Sequence, residues 1–133
     1  MTRLARLTPM LAVTDIERTI AFYCSELGFR CVSKFGEPRP VWCHLERDSV
    51  DLMFNAPPAS EMTELTRRGK DFQIYYFYPD DVLALHTDWK RKGLPVTALR
   101  VTNYGMREFE LRDPEGYWLW FGQPTKDPAT VIE

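Results

Sequence analysis

Residues 13–29 read VTDIERTIAFYCSELGF, and residues 78–94 read YPDDVLALHTDWKRKGL. Apolar side chains recur every three or four residues in the first stretch, which predicts one buried helix face: Ile16, Ile20, Tyr23 and Leu27. Asp15 is placed to cap the start of this helix, and Gly28 suits the left-handed position after its end. The second stretch repeats the design, with Asp80 or Asp81 as the cap and Gly93 as the terminator. Because Gly28 and Gly93 lie 65 residues apart, the two stretches indicate an internal repeat.

The repeat extends to the strands around each helix. Arg47-Asp48 and Arg112-Asp113 also lie 65 residues apart, and each pair precedes an apolar strand. Asp113-Pro114-Glu115-Gly116 is typical of a hairpin turn. One extended run precedes each helix and three follow it: 7–13, 30–35, 41–46 and 50–55, then 72–78, 96–102, 107–112 and 117–122. The sequence therefore predicts an α+β fold in which the order β-α-β-β-β occurs twice.

We expect one domain over residues 1–133. Module one covers 5–56, a connector that contains a short helix near 60–68 covers 57–70, module two covers 71–124, and a C-terminal arm covers 125–133. A chain of 133 residues and 15.6 kDa can build a core without disulfides or a structural metal.

Composition excludes several classes of function. The formal net charge of −2 and a pI near 5.7 leave no basic excess for a nucleic acid. No apolar run approaches the ~20 residues of a membrane span, and the N-terminal residues lack a signal-peptide pattern. Cys24, Cys31 and Cys43 have no metal-ligand spacing and are interpreted as reduced thiols. We expect a cytoplasmic protein with no membrane or nucleic-acid partner.

The joint order of these motifs resembles the vicinal oxygen chelate superfamily, which includes glyoxalase I, extradiol dioxygenases, and fosfomycin- and bleomycin-resistance proteins. The resemblance rests on Val13-Thr14-Asp15-Ile16, Phe22-Tyr23, Leu27-Gly28-Phe29 and residues 112–117, and it covers about 7–124. It implies two βαβββ modules that form an incomplete, cupped barrel around a cavity, in a homodimer.

In the metal-dependent members of that superfamily, four His, Gln or Glu ligands come from the first and fourth strands of each module. The corresponding positions here are Thr8, Asp51, Gln73 and Trp120. Thr8 is a poor ligand and the Trp120 indole is not one, so the resemblance implies neither a metal nor a cofactor, and an enzyme is not favoured.

Strand alternation predicts which side chains line the cavity. We expect a ligand-binding set of aromatic, acidic and intermediate side chains: Trp42, Asp51, Met53, Gln73, Tyr75, Phe77, Glu108, Glu110, Trp118 and Trp120. In the third strand either Val41, Cys43 and Leu45 or Trp42, His44 and Glu46 face inward. His44 is interpreted as a rim or interface residue and His86 as structural.

The preferred function is metal-independent sequestration of an aromatic small molecule, as in bleomycin-resistance proteins that confer antibiotic resistance, and carboxylates in the cavity would favour a cationic one. The first alternative is a glyoxalase- or dioxygenase-type enzyme with a rearranged metal site that uses Asp51, Gln73, Glu108, Glu110 or His44. The second is a dimeric module whose aromatic face is covered by its partner and binds no ligand.

Overall fold

The computed structural model describes residues 2–62, 69–70 and 73–130. The chain divides into two compact units, Met1–Thr63 and Glu64–Glu133. Each unit contains one four-stranded sheet and one principal helix, and each is described separately below.

The first unit follows the βαβββ order. Its elements are β1 (Met10–Ala12), α1 (Ile16–Ala21), β2 (Arg30–Phe35), β3 (Trp42–Arg47) and β4 (Val50–Asn55). The strands are ordered β1-β4-β3-β2, with β1 parallel to β4 and the other pairs antiparallel. A 3₁₀ turn (Ala59–Glu61) follows β4.

Local chemistry explains where α1 begins and how its helical segment ends. The Asp15 carboxylate accepts a hydrogen bond from the Arg18 backbone N–H at 3.0 Å, which satisfies a donor that the helix leaves unpaired. After Ala21 the chain widens into a π-helical turn (Phe22–Glu26), a feature the sequence pattern did not predict. Gly28 then adopts φ +77°, the left-handed conformation that glycine accepts without a Cβ penalty.

The second unit repeats the order with β5 (Ile74–Phe77), α2 (Val82–Arg91), β6 (Arg100–Val101), β7 (Met106–Arg112) and β8 (Trp118–Pro124). Its sheet order is β5-β8-β7-β6, so β5 and β6 form the two edges. Asp81, not Asp80, caps α2 by accepting from the Ala84 N–H at 3.0 Å. The Asp113 carboxylate accepts from the Glu115 and Tyr117 N–H groups at 2.9 Å and so holds the turn between β7 and β8.

An aromatic core joins α2 to the sheet of the second unit. The rings of Phe109 and Phe121 stack at 5.1 Å, and Trp89 meets the edge of this stack at 4.9 Å from Phe121. His86 is buried against Phe109 and its Nε2 lies 2.9 Å from the Thr97 carbonyl oxygen. These contacts define a core face of the sheet, which faces the helix, and an opposite face on which the candidate site lies.

The predicted α+β fold of two βαβββ modules is confirmed. Several strands are shorter than expected, and the runs at 7–13 and 96–102 reduce to three and two residues of strand. Most of the short helix expected near 60–68 lies outside the described residues. The arm after β8 is anchored at Thr130, whose backbone N–H donates to the Val101 carbonyl at 3.0 Å. In the described parts of the chain, no helix has the length and apolarity to cross a membrane.

Candidate functional site

The opposite face of the second sheet carries two neighbouring indoles. In β8, Tyr117, Leu119 and Phe121 are buried on the core face, so Trp118 and Trp120 project from the other face, where both remain half-buried. Their rings meet edge to face, with centroids 5.5 Å apart. The predicted alternation along this strand is therefore what the structure contains.

Beside the indoles, β7 places two carboxylates on the same face. Phe109 and Leu111 are buried in the core, which turns Glu108 and Glu110 to the tryptophan side. We call this side of the sheet the tryptophan face. It is formed by these four side chains together with two that bond to the carboxylates, as described next: Tyr76, Arg100, Glu108, Glu110, Trp118 and Trp120.

Glu108 is completely buried, yet each of its oxygens is satisfied. The Tyr76 hydroxyl donates to Oε2 at 2.6 Å. The Tyr104 hydroxyl and an Arg100 guanidinium nitrogen both donate to Oε1 at 2.6 Å. A buried carboxylate is stable only when it is paired in this way, so Glu108 holds its three donors in fixed positions.

Arg100 also reaches Glu110, which links the carboxylates to the indoles. Its second terminal nitrogen donates to Glu110 Oε2 at 2.5 Å, and Trp118 Nε1 donates to Glu110 Oε1 at 2.7 Å. The Arg100 guanidinium lies 5.0 Å from the Trp120 ring centroid, and that of Arg112 lies 4.2 Å from the Trp118 ring centroid. Both indoles thus have a cation over part of their surface.

This pairing changes the electrostatics that the sequence suggested. Glu108 and Glu110 were expected to make an acidic cavity, but Arg100 bonds to both and Arg112 adds a second positive charge nearby. Burial lowers the pKa of Arg100 and the two carboxylates raise it, with a net increase that keeps the guanidinium charged. Burial and the hydrogen bond to Glu108 raise the pKa of Tyr76, which therefore stays a neutral donor. When Arg112 is counted with this face, two cations stand against two carboxylates and the charges balance.

The expected orientation of β5 is wrong. Tyr75 and Phe77 were assigned to the cavity, but Phe77 stacks on core residue Phe121 at 4.8 Å, and Tyr75 contacts the buried Tyr117 at 6.0 Å. Both belong to the core face because β5 pairs with β8 in the register that sets Phe77 beside Phe121.

Two further residues of β5 follow from the same register. Gln73 accepts a hydrogen bond from the Tyr75 hydroxyl at 3.2 Å and so associates with the core-face side of the strand, away from Trp120. Tyr76, which is not in the predicted ligand-binding set, lies beside Trp120 and reaches Glu108. Arg100 and Tyr104 were also not predicted from the sequence. A signal for Tyr76 was available in Gly122, which leaves room for its ring.

In the first unit a smaller polar cluster lies at the equivalent face. Cys43 and Leu45 are buried, which settles the ambiguity in the third strand: Trp42, His44 and Glu46 share a face with Asp51 and Met53. The His44 Nε2 lies 2.8 Å from Asp51 Oδ1. The same oxygen accepts from the Thr8 hydroxyl at 3.3 Å and pairs with Arg6 at 3.3 Å.

These contacts set the charge of Asp51. The hydrogen bond from His44, opposed by burial and assisted by Arg6 and Thr8, lowers the pKa of the Asp51 carboxyl, so Asp51 is an anion at neutral pH. Within residues 2–62, 69–70 and 73–130, no three His, Cys, Asp or Glu side chains come together as a set that could hold a metal ion.

Two βαβββ modules with a polar or aromatic sheet face in each define a protein of the glyoxalase-like class. The chain belongs to the Glyoxalase/Bleomycin resistance protein/Dioxygenase superfamily, whose family model matches residues 3–121.

Solved structures add a finer comparison. A bleomycin-binding protein complexed with bleomycin is 26% identical, with a TM-score of 0.69 over 90% of this chain and 98% of that one. A bleomycin resistance determinant encoded on the transposon Tn5 is 25% identical, with a TM-score of 0.70 over 91% and 98%. The bleomycin-binding protein of bleomycin-producing Streptomyces verticillus, complexed with copper(II)-bleomycin, is 22% identical with a TM-score of 0.69 over 96% and 100%, which is a likeness of fold. No curated protein sequence matches the chain.

Proposed function

We propose that the protein binds a small aromatic molecule on the tryptophan face and sequesters it without chemical change and without a metal. The observation that carries this proposal is the pair of half-buried indoles on the side of β8 that does not pack on the helix. Indoles filling a core would be buried like Trp89, which is 3% exposed. The bleomycin-binding protein and the bleomycin resistance determinant of similar fold support the same class of function.

Fixed geometry supports binding by stacking. Trp118 is held by Glu110 through its N–H and by Arg112 on one side, so little rotamer freedom remains to be lost when a ligand arrives. Each aromatic contact contributes roughly 0.5–1.5 kcal/mol beyond the buried area. One indole can therefore stack on a planar ring while the other, inclined at 78° to it, contacts the edge of that ring.

The charges argue for a smaller role of ligand charge than the sequence suggested. A cationic ligand would have to compete with Arg100, which bonds to Glu110 at 2.5 Å and to Glu108 at 2.6 Å. We therefore expect a planar cation and its neutral counterpart to bind with similar affinity.

Calorimetry with three defined probes tests the function: metal-free bleomycin, acridine and N-methylacridinium at pH 8. We expect saturable 1:1 binding of at least one probe, and quenching of the indole fluorescence. Trp118→Leu should weaken that binding roughly 3- to 10-fold, the value of one stacking contact. Phe35→Leu is the matched control, because this aromatic ring is 73% exposed on β2 of the other unit, and it should leave the affinity unchanged.

Three results would contradict the proposal. No saturable binding of any probe, with indoles protected from acrylamide, would favour the homodimer that covers its own aromatic face. Equal binding by Trp118→Leu would remove the tryptophan face from the site. A rise in Tm with Ni²⁺, Zn²⁺, Mn²⁺ or Fe²⁺ that saturates at a stoichiometric ratio of metal to protein would favour the metal-dependent enzyme, because a ligand of the native state must stabilise it.

We also propose that the protein is cytoplasmic, as its reduced thiols suggest, and that it forms a homodimer, as the resemblance implies. Sedimentation equilibrium at micromolar concentration should give twice 15.6 kDa. A mass of a single chain across the accessible concentration range would overturn this part of the proposal and would leave the binding site unaffected.

A further inference from the structure

The pair formed by His44 and Asp51 in the first unit has the form of an oriented hydrogen-bond acceptor. The two side chains are 16% and 15% exposed, so they are largely desolvated but still open to solvent. Three donors converge on Asp51 Oδ1, from His44, Thr8 and Arg6. The carboxylate therefore has little freedom to turn away from the imidazole.

The charge of Asp51 decides which ring nitrogen of His44 carries the proton. An ionised carboxylate only accepts hydrogen bonds, so His44 Nε2, at 2.8 Å, must be the donor. In the neutral imidazole the other nitrogen, Nδ1, then has a free lone pair. Within the described part of the chain, His44 Nδ1 has no hydrogen-bond partner.

Apolar side chains flank this acceptor on the same sheet face. Met53 lies directly across from His44 in the β3–β4 pairing, and Trp42 lies two residues along β3. Both are half-buried. Glu46, the remaining charge of β3 on this face, is paired with Arg30 and not with the imidazole. A thioether, an indole and a directional acceptor together match an aromatic ring that carries a hydroxyl group.

We propose that the first unit contains a second binding site, in which His44 Nδ1 accepts a hydrogen bond from the hydroxyl group of a phenol-type or enol-type ligand that packs against Met53 and Trp42. Asp51 acts as a positioning residue that fixes the tautomer and the ring orientation. No residue of this site belongs to the tryptophan face, because all of its residues lie in the other unit.

Two isosteric variants separate recognition from a structural role. His44→Gln keeps a donor near the position of Nε2 and loses the acceptor at Nδ1, whereas His44→Asn keeps an acceptor near Nδ1 and loses the bond to Asp51. The probe pair is phenol and anisole, which have similar shape, but only phenol donates a hydrogen bond. Nitrogen-15 NMR of the imidazoles at pH 8 records the tautomer of His44 and its response as phenol or anisole is added. His86 serves as the internal control.

The expected outcome is a protonated Nε2 and an unprotonated Nδ1 in His44. Phenol should shift the Nδ1 resonance saturably and anisole should not. His44→Gln should bind phenol at least 5-fold more weakly than His44→Asn. A proton on Nδ1, an equal response to anisole, or retained phenol binding in His44→Gln would overturn the proposal. These results are read with other probes and other variants than those that test the tryptophan face, so the two proposals fail separately.

Discussion

Gly122 is the residue whose substitution tests the geometry of the tryptophan face most directly. It lies on β8 opposite Glu108, and a Cβ built there would come within 1.9 Å of the Tyr76 hydroxyl oxygen and 2.7 Å of Tyr76 Cζ. The backbone of Gly122 does not have a left-handed φ, so alanine brings no conformational strain of its own. In Gly122→Ala the Tyr76 ring must move, and its hydrogen bond to Glu108 must break.

The cost follows from the contacts that are lost. A hydrogen bond to a charged, fully buried carboxylate contributes about 1.5–3 kcal/mol, and crowding a packed site costs about 1–3 kcal/mol. Because the two effects share the movement of one ring, they do not add fully. We expect Gly122→Ala to lower the free energy of unfolding by roughly 3 kcal/mol, with Glu108 kept in place by Arg100 and Tyr104.

A double-mutant cycle in urea, followed by far-UV circular dichroism, checks this reasoning. Tyr76→Phe should cost about 1.5–3 kcal/mol in the native background and much less in Gly122→Ala, where the bond is already broken. Gly69→Ala is the control, because a Cβ at Gly69 meets no atom of the described residues within 4 Å, and it should not lower the free energy of unfolding by more than about 0.5 kcal/mol. A Gly122→Ala variant as stable as the native protein, or strictly additive effects of the two substitutions, would refute the argument.

Three further predictions concern local features of the two units. Asp81→Ala should destabilise α2 by about 1 kcal/mol in urea unfolding because it removes the N-cap, whereas Asp80→Ala should change stability by less than about 0.5 kcal/mol. Cys43 is fully buried and burial raises its pKa to about 12, so in the native protein at pH 8 it should react with a disulfide reagent only on unfolding, and Cys43→Ser should leave the number of fast-reacting thiols unchanged. The lowered pKa of Asp51 means that its contribution to stability is complete above the unfolded-state pKa of about 3.9 and is lost as the pH falls through the lower folded-state pKa. Asp51→Asn should therefore be less stable than the native protein at pH 7, and the difference should disappear towards pH 2; a difference that persists at that pH would contradict the assignment.

Much of the fold is encoded in local signals. Asp15 and Gly28 mark the two ends of one helical segment by chemistry that does not depend on the rest of the chain. The alternation of side chains along β8 is also clear, because Gly122 and the two tryptophans differ in type from their neighbours on the core face. The π-helical turn at Phe22–Glu26 left no comparable signal, since one wider turn preserves a buried stripe that includes Tyr23.

The candidate site was harder to predict, because cross-strand register decides it. Residues 74–77 are Ile, Tyr, Tyr and Phe, and four apolar or aromatic side chains in a row cannot reveal which alternate pair faces the core. The charged partner of Glu108 is Arg100, and this pairing depends on the register of β6 and β7 across the turn between them. The charge balance of the face was therefore invisible in the sequence, although both carboxylates were identified.

Glu108 has a further consequence for the cooperativity of the second unit. It stands on an inner strand, and its donors Tyr76 and Arg100 come from β5 and β6, the two opposite edges of the sheet. Fraying of either edge strand removes one hydrogen-bond donor from the Glu108 carboxylate, which is buried away from water. We therefore expect opening at one edge to be coupled energetically to opening at the other, so that the amides of both edge strands exchange together with those of the inner strands.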